Sequence, residues 1–374
     1  MSLTIRKVED KAGFKKFVNL PFELYKDNAY WVPPIKDEEL KALDKDKNPA
    51  FKYNTAAFWI CEKDGKVVGR IGAIINPTAN AANDVKMCRL TRLELIDDAE
   101  VAQLLFKTVE QYALDNGMDG VHGPLGFTNL DHQALLIEGF DHIPSVASEY
   151  HLPYYQKHIE ANGYAKEMDW VEFRLKSPAA IPEKAIRIND LIKKRYNLTV
   201  ESFTTTDEMK PYGMQIFHLL NTAFADLFSF TNMPDDLLQF YIDKYIPILN
   251  PKFVKIVKDK EGVLIGFIIA LPSLSEAMQK AKGKIFPFGW IHIKKALEKP
   301  KVIDLLLTGI HPDWQAQGVS ALIITELQGV MIEHGVEWIE TTGMIETNEK
   351  AINHWKNYDH IQHKRKRCFI KMLK

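Results

Sequence analysis

The chain has 374 residues, which at roughly 100 to 200 residues per domain predicts two domains, each able to bury its own core. Hydrophobic residues make up 46% and charged residues 26%, the balance of an ordinary soluble protein and not of a disordered or fibrous one. Lys+Arg 48 against Asp+Glu 49 leaves a formal charge of -1, so no global field points to nucleic acid or anionic lipid, and any such contact is local.

The N-terminal run MSLTIRKVEDKAGF is charged and lacks the apolar centre of a signal peptide. A helix pair is expected around Phe14 to Tyr25. From Ala56 follows AAFWICEKDGKVVGRIGAIIN, two strand-like runs joined at Asp64-Gly65, a short-range hairpin signal. A further strand, VKMCRLTRLEL from Val85, leads to a helix whose Val101, Leu104, Leu105, Thr108, Val109 and Tyr112 share one face of a 3.6-residue period and which stops at Gly117. Gly123 to Pro144 is the longest turn-rich stretch of this half. Its Asp131, His132, Glu138 and Asp141 suit either an acceptor pocket or a solvated loop with self-capping turns. The helix PYYQKHIEANG and the strand WVEFRL close the half.

A linker opens at SPAAIP and turns helical at IRINDLIKKRY, and a helix is expected over Asp207 to Phe224. The order of the first half then returns. FVKIVKDKEGVLIGFIIAL turns at Glu261-Gly262. Its apolar run Val263 to Leu271 is too short to span a bilayer and reads as a buried strand. VIDLLLTGI from Val302 precedes a helix bearing Val319, Leu322, Ile323, Leu327, Val330 and Met331, with Gly335 as its left-handed cap. The spacing between corresponding glycines grows along the second half because of an insertion, Ser273 to Lys301, which is Lys-rich and aromatic and suits an interface or a lid. TNEKAINHWKN and RKRCFIKM supply the last helix and strand. The basic run His363 to Lys371 fits alternation along an edge strand or a cation beside a phosphate better than nucleic-acid binding.

Cys61, Cys88 and Cys368 are too few for a disulfide framework or a four-thiolate zinc site, so a reducing cytoplasm is the expected compartment and no metal is expected. Alternating strands and helices around a mixed sheet predict an α/β, α+β layered fold used twice.

The chemistry concentrates in GIHPDWQAQGVSALIITEL. A strand ending near Ile310, a Pro at 312 and Gly318 directly before a helix present free main-chain N–H groups at the positive end of a helix dipole, where a phosphate binds. An ordinary strand-to-helix turn has the same residues. HPDWQAQGVSALII resembles the coenzyme A pyrophosphate loop of the GNAT N-acetyltransferases: Arg or Gln, two residues, Gly, one residue, Gly or Ala. Gln315 and Gly318 fall on that pattern, and Ser320 replaces its last position. TNEKAINHW is similar to the next motif of the same family, with Asn348 and Ala351 beside the pantetheine arm. Trp355 stands where the family commonly has the Tyr that protonates the thiolate. An indole N–H has no useful acidity, so Tyr358 or a water is the expected acid, with Trp355 as a packing wall.

The resemblance implies two tandem GNAT-like domains, each a mixed, mostly antiparallel twisted sheet flanked by helices. Residues 1–178 would be a degenerate domain, 179–200 the linker, and 201–374 the domain with the coenzyme A loop. In the first domain the corresponding loop, IDDAEVAQ, carries Asp97, Asp98 and Glu100 and no glycine, and would repel a pyrophosphate. The implied activity is N-acyl transfer from acetyl-CoA or another acyl-CoA to an amine by direct attack. Ile310, Gln315, Gln317, Gly318, Val319, Ser320, Ala321, Asn348 and Trp355 would hold the coenzyme. Asp304 or Glu340 would take the amine proton, and Tyr358 would act as the acid. The expected partner is a small-molecule or peptide amine, with no membrane, nucleic acid disfavoured and a homodimer open. A coenzyme sensor without turnover, or an adaptor pairing through its insertion, are the readings from other classes.

Overall fold

A computed structural model of the chain describes residues 2–374, apart from the side chains of residues 356 and 357. The first half runs β1 (Leu3–Lys7), α1 (Lys11–Leu24), α2 (Lys36–Ala42), β2 (Thr55–Lys63), β3 (Lys66–Ile75) and a short α3 (Pro77–Ala82). It continues with β4 (Met87–Leu95), α4 (Ala99–Asp115), β5 (Gly120–Gly123), β6 (Leu135–Glu138), α5 (Tyr154–Ala161) and β7 (Ala165–Lys176). Helix α6 (Glu183–Tyr196) bridges to β8 (Thr199–Ser202), α7 (Thr206–Met209), α8 (Gly213–Ala223), α9 (Asp235–Tyr245), β9 (Val254–Lys258) and β10 (Leu264–Pro272). The insertion forms α10 (Ser275–Ala281) and α11 (Gly289–Glu298). The chain ends with β11 (Val302–Ile310), α12 (Val319–Glu333), β12 (Trp338–Thr341), β13 (Met344–Ile345), α13 (Glu349–Asn353) and β14 (His360–Met372).

Local chemistry sets these boundaries. The β2–β3 hairpin turns where the sequence predicts: Asp64 and Gly65 take φ of 50° and 79°, both left-handed, as the twist of a two-residue hairpin loop requires. Gly117 and Gly335, at φ of 75° and 67°, follow α4 and α12.

The strands join into one mixed sheet ordered β1-β2-β3-β4-β5-β14-β7-β12-β11-β10-β9-β8, with β6 on β14 and β13 on β7. All pairings are antiparallel except β4–β5 and β11–β12. The final strands of the halves are exchanged. β14 lies against β5 and β6 of the first half, while β7 lies against β12 and β13 of the second, and the two pair with each other from His360↔Leu175 to Ile370↔Ala165. The basic run 363–371 therefore occupies the centre of the sheet and not an edge. Its charges are balanced across the strand pair: Lys366 meets Glu172 at 3.0 Å and Arg367 meets Asp169 at 2.7 Å.

Helix α4 packs one face of the first half, burying Val101, Leu105, Phe106 and Val109. Helix α12 does the same for the second half through Val319, Leu322, Ile323, Leu327 and Met331. On the other face, a single cluster takes Phe58, Ile60 and Ile74 from one end of the sheet and Ile256, Phe267 and Ile269 from the other, together with α8 and α9. No described helix is long and apolar enough to cross a membrane.

Candidate functional site

The loop after β11 is drawn in by a main-chain bond from His311 N–H to Ile265 O at 2.8 Å. A 3-10 turn over Pro312–Trp314 then uses the N–H groups of Trp314, Gln315 and Gln317 within the loop. Gly318 follows at φ 81° as the N-cap of α12, with no side chain capping the helix. Among the described residues, none accepts from the N–H groups of Gly318, Val319, Ser320 and Ala321. Four unengaged donors at the head of a 15-residue helix make an anion seat. Val319 is fully buried, so only its main chain can serve a ligand. Ala321 and Gln315 are exposed, and Gln317 donates to Asp313 O at 2.9 Å. Helix α6 covers one side of the loop: a Cβ on Gly318 would lie 2.5 Å from Ile192 Cδ1.

The first half has the same device in a different state. Ile96 N–H donates to Val68 O at 3.0 Å, as His311 does to Ile265, which fixes the correspondence of the two loops. There Asp98 is the N-cap of α4. Its Oδ1 accepts from Glu100 N–H at 2.9 Å and Val101 N–H at 3.3 Å, and its Oδ2 meets Lys63 at 2.7 Å. Two of the donors that stay open on α12, those of Ser320 and Ala321, thus have counterparts on α4 that an acidic side chain engages.

Ahead of each loop the parallel strands part. β11 and β12 are paired only from Val302↔Trp338 to Leu305↔Thr341, and β4 and β5 only from Met87↔Gly120 to Arg89↔His122. In the first half the gap is filled: Tyr154 donates its hydroxyl to Leu95 O at 2.7 Å, and the Tyr155 hydroxyl accepts from Leu95 N–H at 3.2 Å. In the second half Leu306 and Leu307 are half-buried and Thr308 is exposed.

Asp304 and Glu340 are register partners and face the side of the sheet opposite α12. Asp304 is fully buried. It accepts from Ser145 Oγ at 2.9 Å through Oδ2, its Oδ1 has no partner among the described residues, and burial pushes its carboxyl up to about 7. Glu340 Oε2 lies 2.7 Å from His363 Nε2, and its Oε1 lies 3.4 Å from Arg174 Nε. Tyr358 lies on the α12 side, where its hydroxyl accepts from Gln328 Nε2 at 2.8 Å. Trp355 is buried in the same cluster, and Asn348 caps its own short helix by accepting from Ala351 N–H at 3.2 Å. The sheet thus separates Tyr358 from the two carboxylates.

Sequence reasoning missed the polar centre of the first half. Glu94 accepts from Tyr25 and Tyr155 hydroxyls at 2.7 and 2.6 Å, with Arg70 at 3.7 Å, and burial pushes its carboxyl up to about 7. It lines a cavity of about 60 Å³ together with Arg70, His132, Glu149 and Trp31. Burial opposes ionisation of Glu149, but His132 at 3.1 Å, His151 and Arg92 hold it well below the usual carboxylate range. The single Glu in the strand CRLTRLEL was the available signal. Of the loop acids, Asp131 accepts from Thr128 N–H at 3.0 Å, Glu138 is exposed and lies 3.5 Å from Arg365, and Asp141 is exposed and lies 3.7 Å from His142, whose ring packs on His363 at 5.2 Å. His122, Glu167 and Cys368 gather their ligand atoms within 4.8 Å. Glu167 there accepts from the Cys368 thiol at 3.2 Å, and the nearby Arg89 cation makes it a poor seat for a metal.

No family model matches the chain. Protein YghO of Escherichia coli (strain K12) is 24% identical over 99% of this chain and 95% of its own. A bacterial ceramide synthase of Caulobacter vibrioides is 23% identical over 99% of this chain and 98% of its own. Among solved structures, a tandem GNAT protein from the clavulanic acid biosynthesis pathway superposes with a TM-score of 0.57 at 12% identity, covering 99% of this chain and 98% of that one. With its duplicated order of elements and its two parted parallel strand pairs, the chain is built on the tandem GNAT fold.

Proposed function

We propose that the protein is an acyl-CoA-dependent N-acyltransferase whose coenzyme site lies in the second half. The observation that carries this reading is the contrast between the two helix heads: Gly318 to Ala321 offer unengaged N–H groups, whereas Asp98 takes the two donors of α4 that correspond to Ser320 and Ala321. The pyrophosphate of the co-substrate would lie on α12, with Ser320 and Gln315 at its rim. The pantetheine would follow β11 past Leu307 into the gap that Tyr154 and Tyr155 close in the first half. Trp355 walls that path, and Tyr358, in the same cluster, carries the candidate acid hydroxyl. On the opposite face burial pushes the Asp304 carboxyl up to about 7, so its carboxylate form is matched to accept a proton from an attacking ammonium or amine near neutral pH once the Ser145 loop gives access. Direct attack forms the amide and releases the thiol with no covalent enzyme intermediate.

Likeness over almost the full length of a protein described as a ceramide synthase favours a lipid amine as the acceptor, since a ceramide is such an amide. Calorimetric titration with acetyl-CoA and with a long-chain acyl-CoA tests the seat. Gly318→Glu confounds affinity with strain, because the residue is left-handed and overhung by Ile192. Ala321→Glu is the better variant. An acidic residue in the first turn favours the helix dipole, so melting temperature should hold or rise, while coenzyme affinity falls about tenfold or more by repulsion of the pyrophosphate. Unchanged affinity in Ala321→Glu, or no binding by the wild type, removes the reading. Amine-dependent release of free thiol then separates an enzyme from a coenzyme sensor.

A further inference from the structure

Residues 273–301 join β10 to β11, and their base is tied to the first half. Ser275 Oγ donates to Pro144 O at 2.6 Å, Gln279 Nε2 donates to Ala29 O and Trp31 O at 2.9 and 3.1 Å, and Lys36 N–H donates to Gly283 O at 3.2 Å. Gly283 sits so close to Phe22 that a Cβ would fall 2.4 Å from its ring. From this fixed base the chain turns outward. Phe286 is 76% exposed and Phe288 69%, and Ile285, Trp290 and Ile291 are exposed beside them. The Trp290 indole N–H is satisfied by Pro287 O at 2.9 Å, so this ring can leave water without stranding a donor. Helix α11 turns Trp290, Ile291, Lys294 and Lys295 outward and keeps Gly289 against Ala281.

Single exposed apolar side chains are ordinary, but five within seven residues form a patch that calls for a partner. Its charge says which one. Seven lysines against two glutamates lie between Ser273 and Lys301, a local excess of five positive charges in a chain of net -1. A second copy seated on the same patch would set lysines against lysines. An anionic bilayer complements both parts, because aromatic and aliphatic tips enter the headgroup boundary while the ammonium groups meet lipid phosphates. Neither the neutral overall charge nor the lack of a spanning helix among the described residues bears on a local interfacial element.

We infer that residues 282–295 form a docking element for the surface of an anionic lipid bilayer. The inference stands on the patch alone and does not depend on acyl transfer. It is tested by co-sedimentation of the full chain with vesicles of phosphatidylcholine alone and of phosphatidylcholine mixed with phosphatidylglycerol. The protein should pellet with the mixed vesicles, with affinity about tenfold or more above that for neutral ones and falling as salt is added. Combining Phe286→Ser, Phe288→Ser and Trp290→Ser should abolish pelleting, and combining Lys284→Gln, Lys294→Gln and Lys295→Gln should weaken it about tenfold or more. All six positions are exposed, so circular dichroism and melting temperature should match the wild type. Failure of the wild type to pellet with anionic vesicles overturns the inference, as does wild-type pelleting by the aromatic variant. A dimer in analytical ultracentrifugation that the same aromatic changes dissolve, without vesicle binding, also overturns it and assigns the patch to self-association.

Discussion

Asp304 and Arg89 hold corresponding places, each seven residues ahead of the main-chain bond that draws in the following loop. Their strand partners Glu340 and His122 correspond in turn. One buried position thus carries an acid in one half and a base in the other, with different neighbours. Arg89 is satisfied by Gly126 O at 2.9 Å and Ser229 O at 3.1 Å, a structural role. Asp304 keeps an oxygen without a partner among the described residues. With its carboxyl pushed up to about 7, the folded state retains a proton that the unfolded chain releases near the usual carboxylate value. Stability on this account is greatest in acid and is lost as pH rises from about 4 to about 7. Asp304→Asn fixes the neutral form. Thermal unfolding should therefore show little change near about pH 4 and a gain on the order of a few kcal/mol near about pH 8. If Asp304 is the base, amine-dependent thiol release falls about a hundredfold or more in the same variant. A more stable and less active protein would mark a residue kept for function. Equal destabilisation at both pH values would mark a structural one.

At the scale of elements, helix heads and hairpins were the most legible features. The faces of α4 and α12 follow from apolar periodicity, and Asp64-Gly65 follows from the backbone preference of its turn. Local rules also explain what one motif match hides, since Asn348 and Ala351 are joined by a helix-capping hydrogen bond in this chain. The cap on α4 gives a prediction of the opposite sign to that on α12. Asp98→Ala frees two N–H groups and a lysine, and should cost about 1 kcal/mol in urea unfolding. Coenzyme affinity should stay unchanged, because Tyr154 and Tyr155 still fill the gap behind that loop. Acquired affinity for acyl-CoA in the first half would contradict the account of the plugged gap.

Across the whole molecule, the exchange of β7 and β14 makes each half-sheet depend on the other. Cys368 and Phe369 of the last strand are buried in the first half or on its boundary, and Val171, Phe173 and Leu175 of β7 are buried in the core of the second. A fragment of residues 1–178 lacks the strand that seats against β5 and leaves an open apolar edge. It should show no cooperative unfolding by itself, and mixing it with 179–374 should restore the transition of the intact chain. Cooperative folding of 1–178 alone would show that the exchanged strand is dispensable. The insertion belongs to this scale too, since it is in the second half by sequence but anchored on Ala29, Trp31 and Phe22 of the first.

The amino-acid order alone determined the repeated succession of strands and helices, the hairpin turns and the open glycine-bearing helix head, because each depends on neighbours within a few residues. Only the tertiary structure decided which strands lie side by side. It put the basic run 363–371 at the centre of the sheet opposite Glu172 and Asp169, joined Ser145 to Asp304 across 159 positions, and set Glu94 between two tyrosines. Pairing partners and buried charges are chosen by contacts between distant segments, where desolvation makes an unmatched charge costly, and local periodicity carries no record of that choice.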